Sequence, residues 1–486
     1  MVIKLLSESK GKIDLNIILR GVIFATFIFI WVSFYKNGKN EYFDSNTALL
    51  GSLFAAELYI FLVFEKKRRD PFLIILCFQS TFYFLFRILT LSIYPFSGAF
   101  KRFPFTSTDL NYTLVYILFA NFALFMGFYL NKVKALENGL VQKMQPKKRY
   151  KVFLIFSFGL IMSFPSSIGL TALQWTLGLI ASLFVDVYII MLMIIIYLMM
   201  FKDKIGVRYK IILNVSLLVY VVIATLVGSR GAILIIIYFM LFSILSIHRT
   251  VYVKKSILIL SVIIAPLLII VFTVSTYLRP RLENRAKVGA ETINVLKEFE
   301  LKETILNNSE LVFSDVFNRI GYLDFGAELI AHKQVYEPIF TFKYYGMSFV
   351  DNIFTPGFDV FDTPKISNAQ KFIYSSEGTP KKSKVDEAYQ SDEFTIYGEF
   401  YIAFGKWVSL IFMFLLAFLL KRIYVKLSGK NLFELCIKRS IVLMVFYYFI
   451  QSYGIDWIAS ITLGFVVTFF IFKRFFVFSY QKTIIE

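Results

Sequence analysis

The sequence predicts an all-α polytopic membrane protein with about 12 transmembrane helices and one large polar loop. Three observations carry that prediction. Apolar runs of about 17 residues or more recur along the chain, long enough to cross a bilayer as helices. Basic residues concentrate in alternate connections. The one long polar stretch, residues 279–397, stands alone between membrane regions. Hydrophobic residues make up 58% of the chain and the mean hydropathy is +0.68, which excludes a soluble globular enzyme. The organisation read from this is a membrane region at 1–278 with about nine spans, the loop at 279–397, and a membrane region at 398–486 with about three.

The spans are placed at 15–34, 47–64, 71–94, 110–130, 152–167, 177–201, 211–228, 231–247, 256–278, 399–420, 440–453 and 455–472. Residues 1–16 are polar and carry Lys4, Lys10 and Lys12. The run behind them is long enough to remain as a span, so no cleaved signal peptide is expected.

The net charge of +19 would suit a nucleic-acid binder, but its distribution argues otherwise. With the N-terminus inside, the inside connections and both termini hold about 30 of the 52 Lys and Arg, the asymmetry of the positive-inside rule. The short outside connections hold only Lys36, Lys39, Lys101, Arg102 and Arg230. Both termini are therefore expected in the cytoplasm and the 279–397 loop outside. No nucleic-acid partner is implied. The loop itself has 14 basic and 18 acidic residues, so it is slightly acidic.

Within the loop, 292–306 reads as an amphipathic helix on the membrane surface, with Ile293, Leu296, Phe299 and Ile305 among Glu and Lys. Residues 311–333 read as a second helical region broken near Gly321. From Thr341 the pattern becomes aromatic and irregular, with a turn at Phe354-Thr355-Pro356-Gly357-Phe358.

Charged residues in unusual places are the candidates for chemistry. Gly228-Ser229-Arg230-Gly231 joins two apolar runs with almost no loop between them. Glycines allow close backbone approach, and an arginine at a membrane edge either grips phosphate or snorkels as an anchor. Arg279, Arg281 and Arg285 follow the ninth span on the side where arginine clusters are disfavoured. They suit a diphosphate, or they pair with Glu283 and Glu291. Arg319 neighbours Asp315 and Asp324. His332, the only histidine in the loop, could act as a general base on a hydroxyl, with Glu328 four residues earlier to orient it. Glu399 stands at the outer start of the tenth span, where an acid also complements a helix dipole.

Inside the spans, Glu57, Arg87 and Asp186 are costly in lipid and call for partners or a cavity. Glu57–Arg87 is one pairing across neighbouring spans; Asp186 suits a proton path or a buried pair. Cys77 and Cys436 lie outside the loop and cannot staple it, and two histidines make no metal cluster. There is no Walker A motif. The connection after the first span, Tyr35 to Glu41, lacks paired acids that could hold a catalytic metal. A group-transfer reaction here would take a donor already activated at the outer face.

At these residues the chain resembles the bacterial O-antigen polymerases, the Wzy family of oligosaccharide repeat-unit polymerases. The resemblance rests on the span count, the dominant outside loop in the C-terminal half and the Gly228–Gly231 turn. It rests also on the arginines after the next span and on Gly398-Glu399-Phe400-Tyr401-Ile402-Ala403-Phe404-Gly405. It implies a C-type glycosyltransferase-like membrane fold without metal or other cofactor. It implies transfer of an undecaprenyl-diphosphate-linked chain onto a lipid-linked repeat at the periplasmic face of the inner membrane. A flippase and a chain-length regulator would be partners. Arg230, Arg279, Arg281, Arg285 and Arg319 would hold the diphosphate. His332, Glu328, Asp324 or Glu399 would activate the acceptor hydroxyl. The net acidity of the loop departs from the basic loop of the family. An O-antigen ligase shares the donor and the loop. A lipid-linked oligosaccharide flippase shares the span count, but the 119-residue loop argues against it.

Overall fold

The computed structural model describes residues 12–68, 70–93, 105–130, 143–146, 252–254, 322–338, 341–353, 361, 395–428, 432–451 and 478–481, with helical residues 238, 241, 242, 244–246, 462 and 466. Arg230, Arg279, Arg281, Arg285, Arg319 and Asp186 lie outside them. So do the fifth, sixth, seventh and ninth expected spans, most of the eighth and twelfth, the 292–306 helix and the 354–358 turn.

The described residues are mostly helical. They comprise α1 (Leu15–Asn37), α2 (Ser45–Arg68), α3 (Pro71–Ser80), a π turn (Thr81–Leu85), α4 (Phe86–Ile93) and α5 (Ser107–Leu130). Later come α6 (Tyr322–Ala331), α7 (Lys333–Tyr336), α8 (Phe342–Ile353), α9 (Ile396–Lys426) and α10 (Leu432–Gln451). Five helical segments are long and apolar enough to cross a membrane: α1, α2, the α3–π–α4 rod, α5 and α9. The first four match the first four expected spans.

Local chemistry starts and stops these helices. Asp14 caps α1 by accepting from the Asn16 N–H, and Gly38 ends it with φ 71°. Asp44 caps α2, accepting from the Thr47 N–H at 2.8 Å. Asp70 caps α3 ahead of Pro71, whose missing N–H costs nothing at a helix start. Apolar residues surround these helices on all sides rather than forming one stripe, as expected for helices in lipid or in a protein core. Accordingly Phe24, Phe29, Val32, Phe119, Phe122, Ile411 and Leu419 remain on the surface.

Packing joins α1 to α2 and α4, α2 to α5, and α5 to α9, the most extensive pairing. Glycine makes that last contact possible. A Cβ at Gly127 would stand 2.5 Å from the Phe414 carbonyl oxygen and 2.7 Å from Ala417 Cβ. α10 lies against α3 and α9, and Tyr447 packs on Tyr238 and Phe242 of the eighth expected span. α10 begins at Leu432, eight residues before the expected start at Ser440. The expected span left Glu434, Lys438 and Arg439 in the connection before it. In the helix, Lys438 pairs with Glu434 at 2.8 Å and Arg439 lies over the Tyr424 ring.

Two short antiparallel pairings, β1 (Lys12–Asp14) with β3 (Tyr252–Lys254) and β2 (Lys143–Pro146) with β4 (Phe478–Gln481), tie the bundle's connections. A strand pair cannot straddle a bilayer, because its backbone groups would lie unsatisfied in hydrocarbon. In a membrane, an even number of crossings must therefore separate Asp14 from Tyr252 and Pro146 from Phe478. The two ends of the bundle are also distinct. Asp70 pairs with Lys421 at the β1 end, both side chains buried. At the other end Asn111 donates to Asp44, and Asn37 and Asn40 donate to the Ser92 and Leu91 carbonyls.

Candidate functional site

Part of the polar 279–397 stretch is built into the helix bundle. α6 packs on α5, the π turn and the start of α9. Leu323, Ala327 and Leu329 are buried, and a Cβ at Gly326 would stand 3.1 Å from Thr113 Cγ2. α6 begins at Tyr322, and the expected break near Gly321 lies outside the described residues. The aromatic stretch after Thr341 is a helix, α8, over its first twelve residues rather than irregular.

Asp324 and Glu328 lie one turn apart on α6 and are both buried. Arg87 reaches Asp324 from α4. Its Nε donates to Oδ1 at 2.9 Å and to Oδ2 at 3.1 Å, and a terminal nitrogen donates to Oδ2 as well. Side-chain exposures of 1% and 3% make this a fully desolvated pair. Removing Arg87 would leave the buried Asp324 carboxyl without its guanidinium, at a cost of about 3–5 kcal/mol. This corrects two expectations. Arg87 pairs with Asp324 and not with Glu57, whose Oε2 has no hydrogen-bond partner among the described residues. Asp324, expected as a candidate base, instead has both oxygens engaged by a guanidinium from α4.

Glu328 Oε1 accepts the Tyr336 hydroxyl at 2.6 Å. His332 closes α6, its N–H donating to the Glu328 carbonyl at 2.9 Å. Its Nδ1 lies 3.1 Å from the same oxygen. A carbonyl only accepts, so Nδ1 is the donor in this contact. His332 is half-buried, and this contact orients its imidazole.

α9 holds the largest departure from expectation. A straight helix of 31 residues would run about 46 Å, longer than the roughly 30 Å hydrocarbon core of a bilayer. It breaks at Gly405, where φ 72° and ψ 172° are open only to glycine. The two limbs fold side by side, with Phe412 packing on Phe404 at 4.5 Å and Phe400 at 5.9 Å between ring centres. The second limb runs in the same sense as α5: Tyr116 donates to Ser409 and Gly127 meets Ala417. The first limb runs the opposite way. Tyr401 stacks edge-on against Tyr116, and Tyr397 donates to Asn121 Oδ1 at 2.6 Å. Asn121 lies about 21 Å along α5 from Ser107. Glu399, expected at an exposed edge, is thus buried well inside the bundle at 3% exposure.

α6 and the first limb of α9 face each other across a crevice lined by Thr113, Tyr116, Gly326, Leu329, Tyr397 and Gly398. It has room for no more than about one water molecule, so it is a seam between segments and not a sugar site. Lys333 lies 6.0 Å from the Tyr401 ring centre above it. The Tyr397–Asn121 bond, the Arg87–Asp324 pair and the re-entrant limb were all missed from sequence. Polar residues inside spans (Ser80, Thr81, Asn121) and an apolar run interrupted by Gly405 are the signals that point to them.

No family model, curated protein or solved structure matches the chain.

Proposed function

We propose that the chain is a glycosyltransferase that polymerises undecaprenyl-diphosphate-linked repeat units of a surface polysaccharide. The site faces the periplasm at the bacterial inner membrane, with both termini cytoplasmic. The observation that carries this reading is the insertion of α6 and the first limb of α9 into one end of the bundle. It brings Glu328, His332 and Glu399, from a polar loop and a span, onto adjoining elements. A site for a lipid-borne sugar needs polar groups held by rigid helices at membrane depth.

In the transfer, the bond between the anomeric carbon and the phosphate oxygen breaks, and the diphosphate leaves with the electron pair. Arg230, Arg279, Arg281, Arg285 and Arg319 are the proposed cations that stabilise it. The acceptor hydroxyl oxygen bonds to the anomeric carbon and gives its proton to a base. His332 Nε2 is the preferred base, with Glu328 and Glu399 behind it.

A gel of surface lipopolysaccharide from a deletion strain tests the reading. Loss of the ladder with one repeat kept on the core supports it. Loss of every repeat points to a ligase or a flippase, and an unchanged ladder rejects the proposal. Arg230→Ala or Arg281→Ala should abolish polymer at unchanged protein level, and normal polymer from either removes that residue from the site.

A further inference from the structure

We infer that Arg87 is a positioning residue: its ion pair with Asp324 latches α6 into the membrane bundle and so sets the place of Glu328 and His332. The inference rests on the proposed reaction for its activity arm, and on geometry alone for its docking arm.

Four observations carry it. The pair joins elements 237 residues apart in sequence, and both Asp324 oxygens accept from Arg87. It is buried, so neither partner can exchange the other for water. Asp324, Glu328 and His332 recur every fourth residue, so fixing the first fixes the azimuth of the next turns. The π turn just before α4 adds a residue to the rod, which rotates every later side chain by about 100° relative to an unbroken α-helix. Arg87 is aimed by that rotation, and α6 packs against the same turn. A single hydrogen bond would hold the loop loosely; a two-oxygen, fully desolvated pair admits one orientation of α6.

The docking arm uses Thr113→Cys with Gly326→Cys in the full-length protein. Their contact allows a disulfide, and the natural Cys77 and Cys436 are buried. After mild oxidation and proteolysis between the two sites, the fragments stay joined until reduced. Adding Arg87→Ala should slow this cross-link by about tenfold or more, because Asp324 is left as a lone buried charge. Arg87→Ala with Asp324→Ala removes both charges and should recover part of the rate. Singles that cross-link as fast as the parent, or a double variant as slow as the singles, overturn the latch.

The activity arm uses membrane vesicles supplied with a lipid-linked repeat unit. Arg87→Ala should lower kcat by about tenfold or more with KM little changed, since the substrate-holding arginines are untouched. The double variant should regain part of kcat in step with its cross-linking. Full kcat in a variant that no longer cross-links overturns the positioning role. If the unaltered protein makes no polymer, the polymerase reading fails while the docking arm still decides the latch.

Discussion

At the scale of single residues, close approach and capping govern what the protein tolerates. At Gly127, α5 comes so close to α9 that a side chain would meet its backbone. Gly127→Ala should lower stability by about 1–3 kcal/mol, because the methyl meets backbone and cannot be relieved by a rotamer change. Gly21, with nothing within 4 Å, is the matched control, and Gly21→Ala should be neutral or stabilising by less than about 1 kcal/mol. Thermal unfolding in detergent compares the two. In the connection after α1, the Tyr42 phenol is pushed up to about 12 by burial, by its contact with Glu41 and by the charge of Asp324. The folded state therefore holds this proton more tightly than the unfolded chain. Its contribution to stability is complete below pH about 10 and is lost as pH rises toward about 12. Tyrosinate absorbance of the parent against Tyr42→Phe should show one phenol titrating in that window. Asp44 has the opposite sign. Burial pushes its carboxyl up, but donors from Thr47, Asn111 and Ser107 outweigh this and hold it low. Its stabilisation is present above the ordinary carboxylate range and is lost as pH falls through the lowered value. Asp44→Ala should cost about 1 kcal/mol through the lost cap.

At the scale of elements, the α9 hairpin depends on one backbone conformation. Gly405→Ala puts a side chain where only glycine is comfortable, at a cost of about 1–3 kcal/mol. Straightening the helix relieves that strain and pulls the first limb out of the bundle. In Glu399→Cys, the thiol should be protected from a membrane-impermeant maleimide, and Gly405→Ala in the same chain should expose it. Equal labelling in both would mean that the hairpin does not depend on Gly405. The sequence carried half of this element: the apolar second limb was legible because its hydropathy is local. The first limb was not, because Glu399 reads as a helix-start acid until Tyr397 is seen against Asn121. The same applies to α10, whose first turns read as part of the connection before the span. Glu434 and Lys438 neutralise each other, and Arg439 rests on an aromatic ring.

At the scale of the whole molecule, two buried ion pairs define the ends: Asp70–Lys421 at one and Arg87–Asp324 near the other. The orientation proposed from charge asymmetry puts the first end in the cytoplasm. Lys39→Cys should then react with an impermeant maleimide applied to the periplasm, and Lys426→Cys only after the inner membrane is opened. The reverse pattern would invert the orientation and put the candidate site in the cytoplasm. Hydropathy and charge along the chain were enough to predict several helices apolar enough to cross a membrane, to place the first four of them and to single out the residues of unusual charge. Hydropathy and charge bias are sums over neighbours in the chain, so they survive without coordinates. The pairing of Arg87 with Asp324, the place of α6 in the bundle and the burial of Glu399 are visible in the folded chain alone. Those outcomes depend on contacts between residues tens to hundreds apart, and on the rule that a charge taken out of water must meet its partner in space rather than in sequence.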